Sequence, residues 1–298
     1  MPSEEVPTPA SPEIAATTTK PVRRTWLITG ASSGIGSALA HAAADRGDSV
    51  VALSRNADPL KRLVDDNGAR VLALAADVRR EADVDNAVQR AVEVFGRIDV
   101  VANNAGYGVF GAVEESTDEQ ARGIFDTNVF GVLNVLRAVL PVLRAQRSGH
   151  ILQGSSYYGR VAHPGVGLLT ATKYAVEGLT DALVGELEPL GIRVTLVEPG
   201  PTATAFVDNL VVAPTITDYD GTVREVQKAI GKLPPEAFNS PERVATAILA
   251  VVDADRPPLR LATGSTAVKE IRAALRSQLD ELERWAATAE AVDGRPGA

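Results

Sequence analysis

The segment Thr29-Gly30-Ala31-Ser32-Ser33-Gly34-Ile35-Gly36 constrains the fold more than any other feature of the chain. It follows a short apolar, β-rich run (TWLIT, 25–29) and opens a helical stretch over 35–46 that Gly47 closes. A strand that enters a helix through three glycines forms a phosphate-binding turn. Glycine lets the backbone turn tightly and approach a pyrophosphate, and the helix N-terminus offers unpaired N–H groups and the positive end of its dipole. Ordinary loops also collect glycine, so the strand–turn–helix context carries the assignment. On this reading Gly30, Ser32, Ser33, Gly34, Ile35 and Gly36 hold a dinucleotide.

The remainder of the chain repeats the same alternation. Further strands are expected at 49–53, 70–75, 98–102, 150–153, 193–198 and 259–262. Helices are expected at 59–67, 81–95, 118–144, 171–187 and 242–252. This pattern predicts an α/β fold with a doubly wound parallel sheet of about seven strands, in a single domain over 23–290. A hydrophobic content of 45% with only 4% aromatic residues suits strands covered on both faces by Ala, Val, Leu and Ile. Thr117 is placed to cap the long helix, and Pro141 should kink or restart it.

Residues 1–22, rich in Pro, Thr, Ala and Glu and without an apolar core, are expected to be a disordered leader and not a secretory signal. Residues 203–238 are expected to form a mobile substrate loop, and 291–298 a flexible tail. Between them a tail helix carries Val268, Ile271, Leu275, Leu279, Leu282 and Trp285 in one stripe, for packing on the body or on a second subunit.

A formal charge of -8 argues against nucleic acid and against an anionic membrane. No uninterrupted apolar run approaches the ~20 residues of a membrane span. The chain has no cysteine, and its three histidines lack ligand spacing, so no metal site is expected. A cytoplasmic protein is the expectation.

The Gly-x3-Gly-x-Gly spacing resembles the cofactor signature of the short-chain dehydrogenase/reductase family, and further segments resemble that family in the same order. Asp77-Val78 is similar to its adenine-contacting pair, and Asn103-Asn104-Ala105-Gly106 to its NNAG segment. Asn128 stands where the family has an active-site asparagine. Pro199-Gly200 resembles the turn beside the nicotinamide, with Thr202 and Thr204 near enough to reach the carboxamide. The resemblance covers roughly residues 24–264 and implies a Rossmann fold, cofactor contacts at Asn104, Ala105, Gly106, Pro199, Gly200 and Thr202, and a homodimer or homotetramer built on the two long helices.

At the end of the second strand a carboxylate would hold the 2′-hydroxyl of NAD; here Ser54 and Arg55 stand there. A guanidinium pairs with a 2′-phosphate, which favours NADP(H) over NAD(H).

The resemblance also implies a Ser-Tyr-Lys site assisted by Asn. Ser156 in the SSYYG segment matches the serine, and Lys173 matches the lysine. Leu169 stands thirteen residues after Ser156 and four before Lys173, where the family has its proton-transferring tyrosine. A leucine neither donates nor accepts a proton, so ordinary turnover through that residue is excluded. Three explanations compete. Tyr157, Tyr158 or a water held by Lys173 and Asn128 supplies the proton; the reaction needs little acid, as with a conjugated substrate or a non-redox dehydration, cyclisation or isomerisation; or the domain is an inactive sensor. Retention of Ser156 favours chemistry, hence an oxidoreductase with a non-standard proton path. Phe206, Val207, Leu210, Val211 and Val212 point to an apolar small-molecule substrate.

Overall fold

Each β-rich run between helical stretches finds a parallel neighbour in the computed structural model, which describes residues 23–206 and 209–293. The expected leader 1–22, Val207 and the last five residues of the tail lie outside the described residues. The chain runs β1 (Thr25–Thr29), α1 (Gly34–Asp45), β2 (Ser49–Ser54), α2 (Lys61–Asn67), β3 (Val71–Ala75), α3 (Glu81–Phe95) and β4 (Val100–Asn103). It continues through β5 (Val109–Phe110), α4 (Asp118–Phe125), α5 (Gly131–Gln146), β6 (Gly149–Gly154), α6 (Gly167–Leu187) and β7 (Ile192–Pro199). It closes with β8 (Val211–Val212), α7 (Glu225–Gly231), α8 (Pro241–Asp253), β9 (Arg260–Thr263) and α9 (Ser265–Glu290). The seven-stranded sheet has the order β3-β2-β1-β4-β6-β7-β9, parallel throughout. The order reverses between β1 and β4, and the crevice above that switch point is where a doubly wound sheet binds its ligand.

Alternate residues of each strand serve opposite cores. Trp26 and Ile28 of β1 pack with α1, α2 and α8, through Leu39, Leu63 and Ile248. Leu27, between them, packs with α3, α5 and α6, through Val88, Val135 and Leu183. Burial on both faces explains why these strands read as continuous apolar runs.

Three local features depart from the sequence reading. Pro141 leaves α5 continuous, because Pro141 and Arg137, whose carbonyl loses its partner, both lie on the solvent side. The irregularity falls earlier, in a π-helical turn at Asp126–Phe130 between α4 and α5. The helix expected from 171 begins at Gly167, so Leu169 and Thr170 lie inside α6. Thr117 caps α4 as expected, in a reciprocal capping box with Gln120. The helical run Asp118–Gln146 is long and apolar enough to cross a membrane by composition. Its Val132, Val135, Leu136, Val139 and Leu143 are core residues against the sheet.

The segment expected to be a loop carries structure of its own. β8 pairs in parallel with β5 as a separate two-stranded sheet, and α7 follows. Glu115 clamps this flap. Its carboxylate accepts N–H bonds from Ala112 (2.7 Å) and Ile216 (2.7 Å) and pairs with Arg224. The Arg224 guanidinium, aided by the two N–H donors, lowers Glu115 from its ordinary 4.5 to about 2. A depressed carboxylate stabilises the fold above its unfolded value, so this contribution is present at neutral pH and fades as the pH falls from about 4.5 through about 2. Glu115→Ala is expected to make residues 211–231 roughly tenfold more susceptible to limited proteolysis at pH 7. Equal cleavage of variant and parent would mean that the flap is held by other contacts.

Candidate active site

Three glycines shape the turn between β1 and α1, each for its own steric reason. Gly30 and Gly34 take φ of 66° and 55°, which disfavour a side chain. A Cβ on Gly36 would stand 2.3 Å from the Gly30 carbonyl oxygen and 2.5 Å from Asn104 Nδ2. Ser33 is the N-cap of α1, so Ser32, Ser33, Gly34, Ile35 and Gly36 line the helix N-terminus. The loop after β4 is fastened to this turn. Thr29 Oγ1 accepts from the N–H groups of Asn104 and Ala105 (both 2.9 Å), and Asn104 Nδ2 donates to Thr29 O (3.2 Å). A turn in which a Cβ would collide with backbone, opening on a helix N-terminus, fits a pyrophosphate.

Arg55 is exposed at the end of β2 and forms no ion pair among the described residues. Asp77, beyond β3, is gripped by a residue the sequence reading missed: Arg79 donates to both of its carboxylate oxygens (Nη2–Oδ2 2.6 Å). The hydrogen bond from Arg79, with help from the charge of Arg55, lowers the Asp77 pKa. Arg79 thus grips the carboxylate beyond β3, and the signal for it was the Arg79-Arg80 pair following Asp77-Val78. Val78 is buried against Gly131 and its carbonyl accepts from Asn134 Nδ2 (2.9 Å).

Asn128 sits in the π turn and is almost fully buried. Its Nδ2 donates to Tyr107 O (2.9 Å) and to Thr172 Oγ1 (3.1 Å), while its Oδ1 accepts from the Tyr107 N–H (3.1 Å). Lys173, on α6, donates to Gly154 O at 2.7 Å. Burial lowers the Lys173 ammonium to about 8, and Glu177 opposes that fall. Asn128 and Lys173 meet at Gly106, where a Cβ would stand 3.0 Å from Asn128 Oδ1 and 3.8 Å from Lys173 Nζ. Ser156, half-buried after β6, directs its hydroxyl at Pro199 O (3.5 Å) and accepts the Tyr158 N–H (3.2 Å).

Leu169 is 3% exposed, in an apolar cluster with Val109 and Ile124 that Tyr158 borders. The two tyrosines lie side by side and differ in how far they are buried and in what else they touch. Tyr157 is buried with Val161, Ala267 and Ile271, beneath the start of α9. Tyr158 reaches the clusters of Leu169 and of Phe110. Their rings stack at 4.1 Å, and burial raises both phenols, so each stays protonated at neutral pH. Pro199 ends β7 and Gly200 follows it, with Thr202 Oγ1 donating to Gly200 O (2.9 Å). The Thr204 methyl lies against Gly34, where an added Cβ would meet it at 3.1 Å.

Two buried carboxylates behind the site were also missed by the sequence reading. Glu177 accepts from Ser155 Oγ (2.5 Å) and pairs with Arg260 (3.0 Å). Glu198, immediately before Pro199, is almost fully buried, and burial first, then the Glu177 charge, raises its pKa. They stand 21 residues apart on α6 and β7, as their numbers give, and no local pattern announces the pair.

A parallel sheet with a glycine turn at its switch point, and with Lys173 and Asn128 meeting at Gly106 above it, defines a Rossmann-type dinucleotide-binding protein. A family model for short chain dehydrogenases matches residues 24–214. The chain is 38% identical over 262 residues to oxidoreductase BOA17 of Botryotinia fuckeliana, covering 87% of this chain and 96% of that protein. A short-chain dehydrogenase from Streptomyces avermitilis superposes with a TM-score of 0.85 at 33% identity, covering 92% of this chain and 100% of the other. A short chain dehydrogenase/reductase from Burkholderia phymatum, solved in complex with NAD, gives 0.75 at 28% identity, over 88% and 95% of the two chains. The chain belongs to the short-chain dehydrogenase family and is an oxidoreductase of that type.

Proposed function

We propose that the protein is an NADP(H)-dependent oxidoreductase that interconverts a carbonyl and an alcohol, or reduces a conjugated bond, on an apolar small molecule, with a proton path that bypasses position 169. The observation that carries this reading is the meeting of Asn128 and Lys173 over Gly106 at the carboxyl ends of β4 and β6. The nicotinamide cofactor, when bound, supplies or accepts the hydride. Gly30, Ser33, Gly34 and Gly36 would hold its pyrophosphate, Arg55 a 2′-phosphate, and Lys173 the ribose hydroxyls.

Ser156 orients and polarises the substrate oxygen. Tyr158, protonated and beside Leu169, is one proton donor within the site; a water hydrogen-bonded to Lys173 and Asn128 is the other. Phe206, Leu210 and the β8 flap supply the apolar wall, as Leu210 and Phe206 both close on Gly108. A homo-oligomer in the cytoplasm completes the reading. Exposed Phe130, beside α5, and Tyr174, on α6, lie on the long helices that would join the subunits.

Equilibrium titration with NADPH and NADH tests the cofactor assignment. The parent should bind NADPH in the micromolar range and in preference to NADH. Arg55→Ala should weaken NADPH by about tenfold or more, the size of one lost charge-assisted contact, and leave NADH nearly unchanged. Equal weakening of both would remove Arg55 from 2′-phosphate recognition, and failure of the parent to bind either would end the NADP(H)-dependent reading.

A further inference from the structure

The tail helix α9 does only part of what its stripe suggests. Its first turns pack on the body, with Ala267 and Ile271 buried beside Tyr157 and Val161. From Arg276 to the helix end every residue except Ala286 is exposed. Leu275, Leu279, Leu282 and Trp285 continue the stripe and are 42–63% exposed. The outer fifteen residues therefore project as an arm of about 22 Å at 1.5 Å per residue.

Val268, Leu275, Leu279, Leu282 and Trp285, spaced by seven, four, three and three, lie exposed on one face of the helix, the geometry of helix-on-helix packing, while Ile271 of the same stripe packs on the body. A single arm of this kind does not bury its own seam. Monomeric proteins rarely leave large apolar side chains contiguous at the surface without a partner.

The charges identify that partner. The inner half of α9 carries Lys269, Arg272 and Arg276 against one acid, Glu270. The outer half carries Asp280, Glu281, Glu283 and Glu290 against one base, Arg284. Among the described residues only Glu270 of this set has an ion-pair contact, with His163. A helix that is basic at one end, acidic at the other and apolar along one seam is complementary to itself turned end for end. An anionic membrane finds no such match, because the exposed outer arm is net acidic.

We propose that α9 is an interaction surface for a second copy of this chain, the two helices lying antiparallel about a two-fold axis near Gln278–Leu279. In that arrangement the apolar seams face each other and each basic inner half lies along the partner's acidic outer half, an isologous contact. This contact is separate from the outer faces of α5 and α6.

The test uses the full-length protein. Sedimentation equilibrium should show an assembly whose mass halves in the double variant Leu279→Glu/Leu282→Glu, while the cofactor affinity stays within about twofold. High salt should weaken the parent assembly, since part of the contact is electrostatic. A monomeric parent, or an unchanged mass in the variant, would overturn the proposal. The chain has no cysteine, so single-site trapping is clean even where the double variant folds poorly. Under mild oxidation Leu279→Cys should form a disulfide-linked dimer and Val268→Cys should not. No cross-link at 279, or a cross-link at 268, which a parallel pair would give, overturns it equally.

Discussion

Leu169→Tyr is expected to raise reduction of simple ketones by about 10²–10⁴, the range that a positioned general acid contributes. Leu169 lies inside α6 one turn before Lys173, so a phenol at position 169 would share a helix face with that ammonium. Desolvation holds Lys173 at about 8, which keeps it mainly charged at neutral pH and able to stabilise a phenolate. Asn128, Lys173 and Ser156 already stand at the crevice in their own hydrogen bonds. Only the proton donor has to be added. The added ring enters a packed cluster with Val109 and Ile124, and overpacking of this kind costs about 1–3 kcal/mol, a tolerable loss for a domain of this size. The assay is steady-state reduction of a panel of aliphatic and aromatic ketones with NADPH. Background rates in a variant that still binds cofactor would show that more than the phenol is lacking, and would turn attention to non-redox chemistry on the same scaffold.

Gly36→Ala should act in the opposite direction and as strongly. Its Cβ would be placed 2.3 Å from a backbone oxygen and 2.5 Å from Asn104 Nδ2, and neither can yield without opening the β1–α1 turn. A displacement of about 1 Å in such a turn costs on the order of 10²-fold in function. Cofactor affinity is therefore expected to fall by about 10²-fold or more, with the rest of the fold retained. Gly185→Ala in α6, where an added Cβ meets nothing within 4 Å, serves as the control. That change should leave binding intact and raise stability slightly, because alanine is the better helix former. Normal cofactor affinity in Gly36→Ala would mean that the nucleotide does not lie on this turn.

The architecture and the cofactor end were legible in the residues because each rests on short-range rules. Continuous burial of Trp26, Leu27 and Ile28 toward alternate cores, glycines with fixed steric duties at 30, 34 and 36, and a Thr117 cap all act within a few residues. Which residues occupy the positions of the family's reacting groups was readable too, through resemblance, including the leucine at position 169. What the sequence did not carry were the outcomes set by packing between distant segments. Tyr157 and Tyr158 are neighbours with the same chemistry, yet Tyr157 is buried in the cluster beneath α9, while Tyr158 borders that cluster and also those of Phe110 and Leu169. Asn128 sits in a π turn that no residue type announces. Arg79 grips Asp77 beyond β3, and Glu115 reaches Arg224 from 109 residues away. The apolar stripe of α9 was visible from the start, but only the fold decided that its outer half leaves the body. Local patterns determine which face of an element is apolar; the free energy of burying that face depends on what the rest of the chain brings against it.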